Sequence, residues 1–542
     1  MALHDGEPLP ANPDRKDSLA AIRVAVRRKA EMKQEKADLD SLVSDFGLLS
    51  VGATSRDAES SISGGSAFAK LMAASCFRHR LPSPRDDALP PRQEAHALVQ
   101  YYMDNIYALY PAFPETAIWA TLDNIYQAGG DQALSNADHW LFWTVLAVAS
   151  SAQSRSSQDE FYNRGVDFIA RAVPYAEKVL TPGAMSTIPS LVLLTQYAMY
   201  DPRHFDTWHC MGFTARVVLE MGLHQDPPSH DVRDKNDLET RRKMFHCVYA
   251  LDRTVSMGHA RSFSFTDSAV DVALPSSSGL GRIPSISGHI RGPQSNSPAL
   301  HLFQLRRLQS GWYQTLYQSG TTVLPDGQSF LWKACHELRE WAELLPPSLP
   351  SDVQRLFNLE LEWSYVYCLM PSTRAPQATE YRQSLLFEHA VSFIEQVHES
   401  AFDTRSAPFT TYYDVMRVYF IGTQLVSLLR AAFDLIVSGR PVLMPQSDGG
   451  GVPAPPLPHR FFQLQFEDNL QRSMKAMRFV HETLARFGER WEDALRLLEV
   501  FEGMGGEVRG MLDRRAAEVQ QQQQQMQHMQ QQIQHPQYPQ HP

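Results

Sequence analysis

The chain has 542 residues, of which 43% are hydrophobic and 20% charged, and a formal net charge of −10. Its five cysteines are odd in number and far apart, which excludes a disulfide-stabilised secreted fold and favours free thiols in a reducing compartment. The negative net charge excludes a broadly basic surface that binds nucleic acid. No apolar run is long enough to span a bilayer, so we expect no membrane partner.

Residues 1–44 are predicted to form a basic helical segment. The stretch from Arg15 to Lys36 carries eight lysines or arginines, and its apolar positions form only the thin stripe of a marginal coiled coil. Three interpretations stay open: a solvated helix, an arm that contacts phosphates, or a nuclear-import signal. The candidates for DNA contact in this segment are Arg23, Arg27, Arg28 and Lys29.

Residues 45–92 are predicted to be a linker. Residues 50–66 are rich in Ser, Gly and Ala, and four prolines lie between Leu81 and Pro91. Both compositions interrupt regular structure. A compact domain is therefore predicted to begin near residue 93.

Residues 93–505 are predicted to form one all-α domain with irregular connections, because apolar residues recur at helical spacing almost throughout. Two long loops, residues 276–298 and 441–458, interrupt this domain. Gly222 is predicted to end a helix, because glycine accepts the left-handed conformation found at helix ends. The predicted helices are Trp140–Ala152, Ile188–Tyr200, Trp208–Met221, Asn236–Met257, Ala299–Tyr317, Leu331–Leu345, Leu359–Met370, Leu385–Phe402, Tyr412–Val437 and Phe466–Phe487.

The segment from Asn236 to Pro275 is the most informative part of the chain. Asn236 can cap a helix, and Glu239 can reach back to it in a capping box. Asp252 falls at the edge of the apolar stripe, where a carboxylate is costly unless it is paired, with Arg253 or Arg216 as candidate partners. We interpret Asp252 as a member of a structural ion pair rather than as a catalytic acid.

Residues 506–542 are predicted to be a disordered, glutamine-rich tail. The stretch from Gln520 to Gln540 contains 13 glutamines in 21 residues. Such a tract buries too little apolar surface to order itself. Two readings of the tail stay open: an activation segment that binds coactivators, or a repeat without a role.

No pattern of residues in the chain points to an active site. His209-Cys210 and His246-Cys247 are the only pairs that resemble metal ligands, but neighbours on a helix point about 100° apart and seldom reach one ion. A phosphate-binding loop and a nucleophile elbow are both lacking. We therefore predict no catalytic residue, no metal ligand and no enzymatic activity.

The segment 241–275 resembles the signature of the fungal-specific transcription factor domain, the middle homology region of the fungal binuclear zinc-cluster regulators. His246 and His259-Ala260 depart from the tryptophan and the Arg-Pro turn that are usual in this family. The signature residues taken as structural or regulatory are Glu239, Arg241, Arg242, Tyr249, Asp252, Arg253 and Gly258; Lys243, Phe245, Leu251, Ser256, Asp267, Asp271, Leu274 and Pro275 also match.

Five further motifs occur in the family's order, so the resemblance covers about residues 40–505. The first, Asp-Phe-Gly-Leu-Leu, lies in the predicted linker. The positions are Asp45–Leu49, Tyr102–Phe113, Ala215–Pro227, Leu369–Pro376 and Trp491–Phe501.

The resemblance implies a nuclear regulator of RNA polymerase II transcription with a helical regulatory domain. Family members carry six closely spaced cysteines that bind two zinc ions and hold a helix against DNA. Only Cys76 lies before residue 200, so this sequence does not include that cluster. DNA contact would then come from a zinc cluster missing from this chain or from a partner, and no other cofactor is expected.

The expected partners are transcription machinery or coactivators, a related regulator in a homo- or heterodimer, and a small-molecule effector. An alternative function is that of a headless interaction protein, which sequesters or heterodimerises with a full-length regulator without binding DNA itself.

Overall fold

The computed structural model describes Cys76, Arg78, His79, residues 81–84 and residues 88–534, except 128–133, 182, 231, 233, 276–296, 404–407, 439, 441, 446–451 and 459–467. The predicted basic segment, with its candidates Arg23, Arg27, Arg28 and Lys29, lies outside the described residues, and so does most of the predicted linker. None of the described helices is both long and apolar enough to cross a membrane.

The described residues form an all-α structure, as predicted. The helices are α1 (Arg92–Tyr102), α2 (Glu115–Tyr126), α3 (Asn136–Gln153), α4 (Glu160–Ala172), α5 (Ala176–Val179), α6 (Thr187–Tyr200), α7 (Thr207–Glu220), α8 (Lys235–Gly258), α9 (Pro298–Tyr313), α10 (Gly327–Glu343), α11 (Ser351–Leu369), α12 (Glu380–Phe402), α13 (Tyr412–Ala431), α14 (Phe433–Ser438), α15 (Asn469–Gly488) and α16 (Asp493–Gln534). Single π- or 3₁₀-helical turns lie at Met103–Tyr107, Val173–Tyr175, Asp267–Ala269 and Gln314–Gln318.

Most predicted helices lie within a few residues of the observed ones, but two differ. Helix α11 begins at Ser351 rather than Leu359, because only Val353 and Phe357 face the core in its first two turns and the apolar period is weak there. The predicted helix Tyr412–Val437 is divided at Ala432 into α13 and α14.

The start of helix α8 also differs from the prediction. Asp234, not Asn236, is the N-cap, and its carboxylate accepts a hydrogen bond from the backbone amide of Asn236 at 2.8 Å. Glu239 does not close a capping box, because its carboxylate is held by Arg242 at 3.1 Å. The helix prediction is nevertheless right within one residue at each end.

Helix α6 lies at the centre of the first half of the molecule. Thirteen of its 14 residues are buried, so it is apolar all round rather than amphipathic. Helices α3 and α7 pack closely against it, and α8 and α13 also contact it. Helix α7 ends just before Gly222, whose φ of +64° is accessible to glycine at little cost, so the predicted helix stop is confirmed.

The second half of the chain packs α12, α13, α15 and α16 together, with α11 against α12. Its buried residues are continuous with those of the first half, in one apolar core that runs from Cys76 to Leu512. The folded body therefore extends past both predicted limits, residues 93 and 505.

The prediction of disorder from residue 506 is wrong for the residues up to Gln534, because helix α16 continues through them. Val508 and Leu512 on this helix are fully buried, whereas residues 520–530 are exposed. The physical reason is that the packed first half of α16 supplies the helical nucleus, and glutamine extends an existing helix readily. Composition alone did not reveal that nucleus.

Candidate functional site

The Asp252-Arg253 pair of helix α8 is fully buried. The Arg253 guanidinium donates to the Asp252 carboxylate at 2.8 Å and to Asp267 at 2.7 Å. It also donates to the Phe265 carbonyl at 3.0 Å and to the Ser310 hydroxyl at 3.3 Å. Every nitrogen of this side chain therefore has a protein acceptor, and Asp252 pairs with Arg253 rather than with Arg216.

Aromatic rings enclose the same guanidinium. Its central carbon lies 3.9 Å from the Tyr249 ring centroid, 4.3 Å from that of Phe263 and 4.7 Å from that of Phe265. Asp252 in turn accepts from the amide and hydroxyl of Ser264, the latter at 2.6 Å. The pair thus fastens the segment 263–267 to helix α8, which is a structural arrangement with no free nucleophile or proton donor.

Burial raises the pKa of Asp252, and the positive charge of Arg253 opposes that rise. A carboxyl group with a raised pKa is a typical sign of a catalytic acid. Here the carboxyl group is already bonded to Ser264 and Arg253 and borders neither of the two cavities reported below. The hydrogen bonds of Asp252 therefore stabilise the fold.

The first turns of helix α8 hold the loop that follows α7. Arg242 donates to Asp226 at 2.6 Å and to Glu239 at 3.1 Å. Arg241 donates to the backbone carbonyl of Gly222. The signature residues at this end of the helix therefore act as anchors between consecutive elements.

Gly258, the last residue of α8, touches the ring of Tyr413 from helix α13. A β-carbon built on Gly258 would lie 2.3 Å from a ring carbon of Tyr413. The next residue, His259, forms a hydrogen bond with Tyr413, and its Nε2 lies 3.0 Å from the Tyr413 hydroxyl oxygen. The altered turn of the signature, His259-Ala260, is thus part of a contact between α8 and α13.

Replacing Gly258 with alanine is expected to lower the free energy of unfolding by about 1–3 kcal/mol, because the new methyl group overlaps the Tyr413 ring. Urea denaturation of the purified chain measures the change. The matched control is Gly311→Ala in helix α9, where a β-carbon meets no atom within 4 Å. That control is expected to be neutral or stabilising by up to about 1 kcal/mol, and equal losses in both variants would contradict the overlap.

His246 is buried at the position where the family usually has tryptophan. Its ring stacks on Phe303 with centroids 5.4 Å apart, and its Nε2 is 3.1 Å from the Ala273 carbonyl. Burial lowers the pKa of His246 to about 4. Cys247 and Cys210 are fully buried, and the described residues contain no group of three or more His, Cys, Asp or Glu side chains arranged to hold a metal ion.

The low pKa of His246 predicts acid sensitivity. Below pH 6.5, the ordinary pKa of histidine, His246 takes up a proton in the unfolded chain, whereas in the folded chain it stays neutral until the pH reaches about 4. The free energy of unfolding therefore falls as the pH drops from about 6.5 to about 4 and then levels off. The difference amounts to ~3 kcal/mol. Unfolding free energies measured between pH 7 and pH 4 should show it for the native chain and show a flatter profile for His246→Phe; parallel profiles would contradict the assignment.

A second buried charge cluster was not foreseen from the sequence. Glu360 on α11 accepts from Arg306 on α9 at 2.9 Å and from Arg417 on α13 at 2.9 Å. Gln309 donates to the same carboxylate at 3.2 Å and to Ser364 at 2.9 Å. Burial alone would raise the pKa of Glu360, but the two guanidinium groups outweigh burial and hold that pKa well below its usual range.

A cavity of about 60 Å³ lies beside this cluster, between helices α6, α8, α9, α11 and α13. Its polar lining includes Gln196, Arg306, Asp414 and Arg417. A smaller cavity of about 40 Å³ adjoins it across Phe409. Side chains from five helices therefore meet at this cavity. One feature of the sequence could have indicated it, since Arg306, Glu360 and Arg417 each interrupt an apolar helix face.

Comparison with known proteins identifies part of this structure. Residues 99–343 match the model of the fungal specific transcription factor domain. These residues form a fungal specific transcription factor domain. The domain includes the signature helix α8 together with Gln196 and Arg306 of the cavity, whereas Glu360, Asp414 and Arg417 lie beyond it in the chain.

Curated relatives of the chain are fungal transcriptional regulators. Pyrimidine pathway regulatory protein 1 of Saccharomyces cerevisiae is 24% identical over 189 residues, which is 33% of this chain and 21% of that protein. An uncharacterized transcriptional regulatory protein of Schizosaccharomyces pombe is 23% identical over 309 residues, 54% of this chain and 37% of that protein.

The Positive regulator of purine utilization of Emericella nidulans is 22% identical over 288 residues, 42% of this chain and 27% of that protein. The chain thus spans only about a fifth to two fifths of the length of these relatives.

Proposed function

We propose that this chain regulates RNA polymerase II transcription in the nucleus of a fungus. The observation that carries the proposal is the fungal specific transcription factor domain at residues 99–343. The relatives support it, since those named above are a pyrimidine pathway regulatory protein, a transcriptional regulatory protein and a regulator of purine utilization.

The proposed mechanism assigns a role to each part of the chain. The helical domain sets activity by intramolecular contact or by binding an effector, and the glutamine-rich segment recruits transcription machinery or coactivators. Its exposed glutamines on helix α16 are accessible to such a partner. DNA contact comes from a zinc cluster outside this sequence or from a related regulator in a dimer.

The test fuses the chain to a heterologous DNA-binding module and measures a reporter in yeast. We expect the fusion to change reporter expression and a chain shortened after Leu512 to lose that effect, because the shortening removes the exposed glutamines while keeping the buried residues of α16. A control that replaces Gln520–Gln525 with alanine keeps a good helix former at each position. A reporter that responds neither to the fusion of the full chain nor to the fusion of the shortened chain would contradict the proposal.

A second candidate function is sequestration of a full-length relative without DNA binding. This sequence has one cysteine before residue 200, so a zinc cluster of the family's kind would have to come from residues outside it or from a partner. Affinity capture from nuclear extract, combined with promoter occupancy measurements, separates the two functions. Sequestration predicts a stable protein partner and no promoter occupancy, whereas the main proposal predicts occupancy.

A further inference from the structure

Gln196 on helix α6 presents an unused hydrogen-bond donor at the wall of the 60 Å³ cavity. The side chain is 2% exposed. Its Oε1 accepts from the Tyr102 hydroxyl at 3.1 Å. The Nε2 atom has no hydrogen-bond partner within the described part of the chain. A buried donor left in this state is costly unless something occupies the cavity.

Arg306 offers a second donor of the same kind. Its terminal nitrogens are bonded to Glu360 and Gln309, but its buried Nε has no partner among the residues that the structure describes. Arg417 donates to Glu360 at 2.9 Å, and its other terminal nitrogen is ion-paired with Asp414 at 3.6 Å, a separation too long for a hydrogen bond. Two nitrogen donors without a partner, on Gln196 and Arg306, thus belong to residues that line one small space.

The charged groups around the cavity are compatible with an acceptor of negative charge. Arg306 and Arg417 carry two positive charges and face the carboxyl groups of Glu360 and Asp414, so the formal balance is zero when both carboxyl groups are ionised and +1 when Asp414 is protonated. Burial raises the pKa of Asp414, although the positive charge of Arg417 opposes that rise. The Asp414 carboxylate also accepts a hydrogen bond from the backbone amide of Thr411, at the start of α13, at 2.7 Å. The balance at the cavity is therefore neutral to positive.

The size of the cavity limits what can enter it. At roughly 10–15 Å³ per water molecule, 60 Å³ accommodates about four to six non-hydrogen atoms. Apart from Thr254 and Thr411, the remaining lining is apolar or aromatic, with Leu109, Met199 and Leu302 among its members. A small head with oxygen acceptors and a short apolar end would match both parts of the wall.

We propose that this cavity binds a small carboxylate, whose oxygens accept from Gln196, Arg306 and Arg417. The ligand sits where the fungal specific transcription factor domain meets helices α11 and α13, so it joins groups on both sides of residue 343. The binding can be measured on the purified chain and does not depend on any transcriptional role.

The experiment measures thermal stability and calorimetric binding of the purified full chain with acetate, propionate and pyruvate as probes. Acetamide and ethylammonium are the matched neutral and cationic probes. We expect saturable binding of at least one carboxylate, a higher melting temperature in its presence, and no binding of ethylammonium.

The decisive variant is Gln196→Met, which keeps the length of the side chain and removes the donor, together with the acceptor of the Tyr102 hydroxyl. Tyr102→Phe, which removes only that hydroxyl, should bind like the native chain. We expect it to weaken carboxylate binding about tenfold or more, the usual effect of losing a hydrogen bond to a charged group. The matched control is Gln153→Met at the end of α3, whose amide bonds the Ala149 carbonyl away from the cavity. This control should bind like the native chain.

Three results would overturn the proposal. One is that no carboxylate binds to the native chain. Another is that Gln196→Met binds as tightly as the native chain, which would place the site elsewhere. The third is that ethylammonium binds as tightly as the carboxylates, which would show that the cavity does not select an acceptor of negative charge.

Discussion

Replacement of Glu360 by glutamine is expected to lower the free energy of unfolding by about 3–5 kcal/mol. Glu360 is 2% exposed and is the acceptor shared by Arg306 and Arg417. Glutamine has nearly the same shape but no charge, so Arg306 would stay buried without a counter-ion and Arg417 would keep only Asp414, at 3.6 Å. Breaking such a cluster costs far more than breaking a surface pair, because the remaining charges cannot return to water.

Urea denaturation of the purified chain measures the Glu360→Gln effect, with Glu343→Gln as its control. Glu343 pairs with Arg339 at 2.7 Å, but both side chains are about half exposed, so this variant should change stability by less than about 1 kcal/mol. A triple variant with methionine at residues 306, 360 and 417 should recover most of the lost stability, since it removes the charges of both arginines and of Glu360 at once. Similar losses for both single variants would contradict the buried-cluster argument.

Arg253→Met is the second variant with a large expected effect, about 3–5 kcal/mol of lost unfolding free energy. The change leaves the buried carboxylate of Asp252 and the carboxylate of Asp267 without their shared cation. It also removes the planar group that lies over the Tyr249 ring. Methionine fills much of the volume, so the loss reports mainly on charge and hydrogen bonding.

Hydrogen exchange gives the Arg253→Met prediction a local readout. The Ser264 amide donates to Asp252, and we expect its exchange to accelerate more than that of the α6 core amides, because the segment 263–267 loses its anchor. The control is Arg339→Met, whose pair with Glu343 is about half exposed and should cost about 1 kcal/mol or less. Uniform acceleration across the chain would mean that Arg253 stabilises the fold globally rather than this segment.

The sequence predicted the parts of the fold that depend on local periodicity. Helix α8 is an example, since the apolar stripe and the change of pattern at its ends place it within one residue of its observed bounds. Its cap was wrong because Asp234 and Asn236 are both good capping residues, and the choice between them depends on where the preceding loop enters.

The cavity and its charge cluster could not be predicted in the same way. Gln196, Arg306, Glu360 and Arg417 lie on four helices and are separated by up to 221 positions in the numbering. No periodicity relates residues on different helices, so only tertiary packing reveals that their side chains meet. A charged residue on an apolar face does indicate a buried partner, but it does not indicate which one.

Helix α16 has a mechanical consequence for anything that binds its glutamines. From Asp513 to Gln534 it extends 22 residues past its last fully buried side chain, or about 33 Å at 1.5 Å per residue. A flexible tether would let a bound factor sweep over the surface of the domain, whereas a helix holds it at one distance and in one direction. The geometry of recruitment is then set by the orientation of a rod rather than by the entropy of a chain.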